Sequence, residues 1–249
     1  MNIYDTYYNK IESIILSHKD DTKIPSINVY LKNKADFVYG IPMKKTKSIF
    51  SKYLDELNML ENNDIFILID KLMKSKAFEM QIVACMLLER CYYSLNIDLP
   101  KIFLDYIENN IIINWAIDDQ ISLYSLSKLV DKSFVLDYAK HSHYLVRRSA
   151  VVTFAEARLY KKDIELLKKT ILMLLNEKDE YVLRASGWSL RNIYNYNKKV
   201  YFEFFEEYGK YMPRIMLRYG IEQLDENIRL EILYSSKAKR DNLTKFIRM

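Results

Sequence analysis

Glycine and proline are nearly missing. The 249-residue chain holds only Gly40, Gly187, Gly209 and Gly220, and Pro25, Pro42, Pro100 and Pro213, far below ordinary usage. A sheet protein of this length would need many more turn residues, which argues against a β-rich fold. Cysteine is equally scarce: Cys85 and Cys91 stand six apart inside one apolar helical pattern, a spacing that suits neither a redox CxxC nor a zinc site, so buried free thiols are expected. The three histidines, His18, His141 and His143, lack metal-ligand spacing and read as surface or helix-end residues. Long apolar runs are missing too. Ile65–Ile69 and Ile171–Leu175 fall far short of the roughly 18 residues a membrane span requires. The start carries acidic Asp5 and Glu12 and no basic leader, so no export signal is read and a cytoplasmic location is expected. No G-x-G and no GKS or GKT occurs, so neither ATP nor any other cofactor is expected.

What is present is helical. Half of the residues are hydrophobic and 29% are charged, enough to bury a sizeable core, and one domain over residues 1–249 is expected. Apolar residues recur at three and four positions, as in Ile11, Ile14, Ile15; Ile49, Tyr53, Leu54, Leu57; and Leu166, Leu167, Ile171, Leu174, Leu175. Breaks are read at Ser26, Gly40–Pro42, Asn62-Asn63, Ser75, Leu99-Pro100, Ser142, Asn176, Asn197 and Met212-Pro213, which leaves about a dozen helices of roughly 10 to 18 residues. Lys, Asn, Ile and Tyr are abundant together, a mix that A/T-rich codons also produce, so the 21 tyrosines are weak evidence for base stacking.

Charge is uneven. Residues 1–124 carry 14 Lys/Arg against 17 Asp/Glu, whereas residues 125–249 carry 24 against 16. An excess of cations in one half can form a phosphate-attracting surface, although a solvated face also explains it.

Tandem helix pairs leave repeats of about 30 to 47 residues in a sequence. Phe78–Ala84, Tyr144–Ala150 and Tyr181–Gly187 share an aromatic residue, a polar residue three later and a small residue three after that. Ser122 and Gly220 extend the small positions, with successive spacings of 38, 28, 37 and 33 residues. Small residues at one helical position let neighbouring helices approach closely. Three residues before them stand Gln81, Asp119, Arg147 and Arg184, a polar column that either lines one face of a superhelix or is a plain solvated face. Aromatic neighbours favour the first reading. Trp115 and Asp119 are four apart, with Asp118 beside them, and Trp188 has Arg184 four before it and Arg191 three after. Core packing is the alternative for each indole.

These residues resemble the AlkD-like family of DNA alkylation-repair glycosylases. The resemblance runs from about Tyr30 to Leu233 and rests on Tyr30-Leu-Lys-Asn33, Tyr39-Gly-Ile-Pro42, Trp115-Ala-Ile-Asp-Asp119, Tyr144-Leu-Val-Arg-Arg-Ser-Ala150 and Ala185-Ser-Gly-Trp-Ser-Leu-Arg191. It implies an all-α fold, an α-α superhelix of HEAT-like repeats. It also implies a monofunctional glycosylase acting on cationic alkylated purines, 3-methyladenine and 7-methylguanine, in double-stranded DNA. Trp115, Asp119 and Trp188 fall on the family's catalytic cleft residues, with Asp118 as the alternative carboxylate, and Tyr30 and Arg148 fall on positions that contact the DNA backbone. Two departures stand out: Ala116 replaces a frequent acidic residue, and Leu145 replaces an aromatic, with Tyr144 one position earlier.

The chemistry fits the residues. Alkylation makes the purine cationic and a good leaving group, and a carboxylate near the anomeric carbon stabilises the oxocarbenium character that develops. The two indoles offer electron-rich faces to the same cation. The resemblance implies that the lesion can stay in the duplex while the cleft contacts its deoxyribose, without a base-flipping pocket. Arg147, Arg148, Arg184, Arg191 and the run Lys44-Lys45-Thr46-Lys47 are candidate phosphate contacts. No lysine singles itself out for Schiff-base chemistry, so an uncut abasic site is the expected product. A monomer with no metal, no membrane and no obligate protein partner is expected. Two other readings use the same scaffold: a catalytically silent paralogue binding DNA of unusual structure, and a protein–protein scaffold.

Overall fold

The computed structural model of the chain describes residues 2–57 and 60–247. Among them are fifteen α-helices, short 3-10 turns at Asp21–Lys23 and Leu126–Lys128, and no strand beyond one isolated bridge between Phe37 and Ala77. The expected all-helical architecture is what the chain adopts. It divides into two compact units, Met1–Leu126 and Ser127–Met249.

The first unit holds α1 (Ile3–Ser17), α2 (Ile24–Tyr30), α3 (Met43–Phe50), α4 (Leu54–Leu57), α5 (Asn62–Lys74), α6 (Phe78–Cys91), α7 (Leu99–Glu108) and α8 (Trp115–Tyr124). α6 is its centre. Nearly every residue of α6 is buried, all the way round the helix, because α1, α3, α4, α5 and α8 pack against it from different sides. Cys85 lies inside this helix and Cys91 at its end, both as free thiols, and burial pushes them up to about 12 and about 11 respectively.

The second unit holds α9 (Val135–Tyr138), α10 (Tyr144–Val152), α11 (Lys161–Met173), α12 (Glu180–Tyr196), α13 (Lys198–Tyr208), α14 (Arg214–Gly220) and α15 (Glu226–Ile247). Here α12 is the hub, packed by α10, α11, α13 and α14. The charge asymmetry maps onto the units: Ser125 and Leu126 are uncharged, so the first unit is net −3 and the second net +8.

Local chemistry sets the helix ends. Asp98, Asn114, Asp179 and Asn197 each accept a backbone N–H in the first turn of α7, α8, α12 and α13, a cap that contributes about 1 kcal/mol. His143 does the same for α10 through Nδ1, and His18 caps the end of α1 with Nδ1 2.9 Å from the Ile14 carbonyl. With so few glycines, left-handed backbone falls to Lys32, Asn33, Lys76, Asn96 and Asn110. One expected break moves: Ser26 lies inside α2, its hydroxyl donating to the Lys23 carbonyl, and the helix starts at Ile24 just ahead of Pro25. Helices such as α4 and α9, each of four residues, are too short to show a period.

The five small positions are all buried, Ala84, Ser122, Ala150, Gly187 and Gly220 alike. Gln81 is buried as well. At 2% exposure it faces no groove, because its Nε2 donates to the carbonyls of Met73 and Ile111 and fastens α5 to the loop before α8. Polarity at that position serves the backbone of its neighbours.

Glu79, fully buried on the first turn of α6, explains the Tyr39-Gly-Ile-Pro42 motif. Its carboxylate accepts the Tyr39 and Ile41 amides at 3.0 and 2.9 Å, while burial raises its pKa against the pull of those amides. Gly40 between them has φ of 89°, and a Cβ there would stand 1.9 Å from the Asp20 carbonyl oxygen. Pro42 then opens α3, which places Lys44 and Lys45 in its exposed first turn.

Candidate functional site

In the first unit the end of α2 meets the start of α8. Tyr30 closes α2, followed by buried Leu31 and by left-handed Lys32 and Asn33, which turn the chain away. Asn114 caps α8 by accepting the Ile117 amide at 3.1 Å, and Trp115 is the first residue of the helix. The Tyr30 ring meets the Trp115 indole edge to face, with centroids 4.8 Å apart and planes at 61°. One turn further along α8 stands Asp119. Burial, and after it the Asp119 charge, raise the Tyr30 hydroxyl pKa. Tyr30 is therefore a neutral phenol at physiological pH and can donate a hydrogen bond.

Both carboxylates of the Asp118-Asp119 pair are sunk, at 0% and 6% exposure. Asp119 is the one whose charge acts on Tyr30. Trp115 is partly exposed and Tyr30 half exposed, so an indole, a phenol and a carboxylate form one partly open set. The Lys44 and Lys45 side chains are exposed on α3, and Lys47 sits over the Tyr124 ring at 4.8 Å. Asp119 is thus a buried member of the polar column that stands one turn from a partly exposed indole.

In the second unit Trp188 lies on α12, partly exposed. The arginines around it are engaged with the protein itself. Arg184 pairs with Glu180 and donates to the Tyr219 hydroxyl at 2.8 Å, and Arg191 pairs with Glu222. Arg148, 6% exposed, donates to the Tyr181 carbonyl at 2.7 Å.

Arg147 is the most committed. Its guanidinium donates to Glu177 at 2.5 Å and to the carbonyls of His141 and Ser142 at 2.9 and 2.6 Å, fastening α10 to the turn before α12. To contact phosphate, this side chain would have to release those partners.

Glu177 supplies a pH test. Burial works to raise its pKa, but the Arg147 guanidinium and the amides of Asp179 and Lys178 outweigh it, and the net shift is downward. A depressed carboxylate adds stability that is present above its unfolded value of 4.5 and is lost as pH falls through the lower folded value. Glu177→Gln is therefore expected to flatten the fall in melting temperature below about pH 4.5. An unchanged acid limb would contradict a stabilising Arg147–Glu177 pair.

Sequence reasoning missed Glu79, Glu177 and Glu222, each of which holds a group thirty or more residues from itself. Glu180 was legible, since it stands four before Arg184 on one helix face. Among the described residues, no group of three or more His, Cys, Asp or Glu side chains could hold a metal ion, and no helix is long and apolar enough to cross a membrane.

Comparison with known proteins adds independent findings. A family model described as DNA alkylation repair enzyme matches residues 11–224. The fold is similar to a solved structure of a protein from Enterococcus faecalis described as a predicted DNA alkylation repair enzyme. The two share 19% identity and a TM-score of 0.70, over 84% of this chain and 97% of that one. No curated protein matches the chain.

Proposed function

The chain belongs to the family of DNA alkylation repair enzymes, and from that membership we propose that it is a monofunctional DNA glycosylase acting on cationic alkylated purines in duplex DNA. Its substrates are bases of the 3-methyladenine and 7-methylguanine class. The observation that carries this reading is the set of Tyr30, Trp115 and Asp119, with the two rings 4.8 Å apart and the carboxylate one turn along the same helix.

The reaction breaks the bond between the purine nitrogen and C1′. The bonding pair leaves with the base and cancels its positive charge, so no proton has to be supplied to the leaving group. C1′ is left electron-poor. Asp119 stabilises that cation and orients a water, which adds to C1′ and loses its proton, leaving an abasic sugar. A carboxylate about 4 Å from a unit cation gains roughly 4 kcal/mol at an effective dielectric near 20, about a thousandfold in rate. Trp115 presents its indole face to the same charge, worth ~0.5 to 2 kcal/mol. Trp188, in the second unit, is proposed as a further aromatic contact to the substrate DNA, and the Tyr30 hydroxyl as a donor to the DNA backbone. Lys44 and Lys45 on the exposed first turn of α3 are proposed phosphate contacts, and Arg184 and Arg191 would join them only by exchanging Glu180 and Glu222 for phosphate.

Because the rate depends on a positively charged leaving group, a neutral lesion should be a poor substrate. The test is product analysis on matched duplexes carrying a cationic or a neutral modified base. The expected result is free base from the cationic lesion only, with the strand intact until alkali is added. Equal release of both bases, or direct nicking of the strand by the pure protein, would contradict the mechanism.

A further inference from the structure

Resting on the reading that duplex DNA is the partner, we propose that Arg218 and Arg229 form a second anchor for a backbone phosphate in the second unit, one that acts on affinity and not on bond cleavage. The two residues line a cleft of about 340 Å³ between the end of α14 and α15, together with Tyr219, Ile221, Glu222 and Leu233.

The cleft wall is braced from α12. Arg184 donates to the Tyr219 hydroxyl and lies over its ring at 5.3 Å, and Gln223 Nε2 donates to the Arg191 carbonyl at 3.2 Å. Arg191 takes the Glu222 carboxylate, the one anion in the lining. Two cations remain. Neither Arg218 nor Arg229 pairs with a carboxylate among the described residues, and Arg218 is exposed and Arg229 partly so.

A rigid wall, a neutralised acid and two open guanidinium groups make a receptor for an anion with several acceptor oxygens, which planar guanidinium forks match well. Residues 125–249 carry a net charge of +8, and that favours a polyanion over an isolated small anion. The lining offers only Ile221 and Leu233 as aliphatic contacts, too little apolar surface for a peptide to bury. A phosphodiester backbone fits these features.

The experiment is a titration of a short unmodified duplex at several salt concentrations, comparing wild type with an Arg218→Gln/Arg229→Gln double variant and an Arg218→Lys/Arg229→Lys control. Each neutralised phosphate contributes about 0.9 to the slope of log affinity against log salt, so the glutamine variant, which gives up the one anchored phosphate, should lose about 0.9 and bind roughly tenfold more weakly at low salt. The lysine control should keep the slope. Excision measured at saturating protein should not change.

An unchanged slope and affinity in the glutamine variant overturns the anchor while leaving the glycosylase reading intact. Wild-type binding without excision fails that reading alone, and the slopes still decide the anchor. Absence of duplex binding by the wild type overturns both.

Discussion

Asp119→Asn is expected to slow release of a methylated base by about a hundredfold or more, read as the single-turnover rate at saturating protein. The substitution keeps the size and shape of the side chain and removes its charge. If that charge stands about 4 Å from the developing cation, its loss costs roughly 3 to 4 kcal/mol of transition-state stabilisation, which the rate reports tenfold for each ~1.4 kcal/mol. The amide still hydrogen-bonds, so at 6% exposure the fold should hold, and a melting curve of the variant checks that. Duplex affinity should change little, because the unmodified backbone carries no cation for Asp119 to meet. The same rate on Asp118→Asn separates the neighbouring carboxylates. A larger loss there, with Asp119→Asn near wild type, would move the role to Asp118.

Gly187→Val is expected to destabilise the second unit strongly. The reason is packing rather than backbone freedom. A Cβ on Gly187 would stand 2.4 Å from the Tyr219 Cβ, 2.6 Å from the Met216 carbonyl oxygen and 2.8 Å from the Gly220 amide nitrogen. Two of those atoms are backbone, so α14 must move off α12, and no rotamer change relieves the contact. Overpacking of this kind costs about 1 to 3 kcal/mol, occasionally more, and clashes with backbone put Gly187→Val at the upper end. In an open helix, replacing glycine by alanine would instead gain up to ~1 kcal/mol, so the sign of the effect at Gly187→Ala is informative as well. Thermal unfolding should fall by on the order of 10 °C for the valine variant. A melting temperature equal to wild type would mean that α12 and α14 do not approach this closely.

Gly187 also shows how much of the fold could be read from the sequence. Period-three and period-four apolar spacing announces helices without any long-range information, and a small residue recurring at one helical position announces close neighbours. Both signals are local. The turn at Asn109–Asn114 carries a left-handed Asn110 in an asparagine-rich stretch that could have been noticed, because asparagine tolerates that backbone. The short helices α4 and α9 could not, since four residues hold no period. Nor did composition mark the division at Leu126, where no glycine or proline stands.

The candidate site was legible in part for the same reason. Trp115 and Asp119 share one helix face, which spacing alone shows. That Tyr30 lies against Trp115, 85 residues away, follows from no local pattern; resemblance to a family marked Tyr30 only as a contact to the DNA backbone. The polar column shows the opposite limit. Its members look alike in sequence, yet Gln81 staples two carbonyls, Arg147 is bound to Glu177 and two carbonyls, and Arg184 pairs with Glu180. Whether a polar side chain serves a ligand or its own backbone depends on acceptors brought from distant segments, and those acceptors have no signature near the residue they satisfy.

The most direct test of the account is a time course of free base released from a methylated duplex by the wild-type protein. The account predicts 3-methyladenine and 7-methylguanine appearing well above the spontaneous depurination rate, with abasic sites accumulating in step. Methylated DNA that is bound with strong salt dependence yet releases no base beyond the uncatalysed rate would contradict it, and would make the chain a DNA-binding member of the repair family.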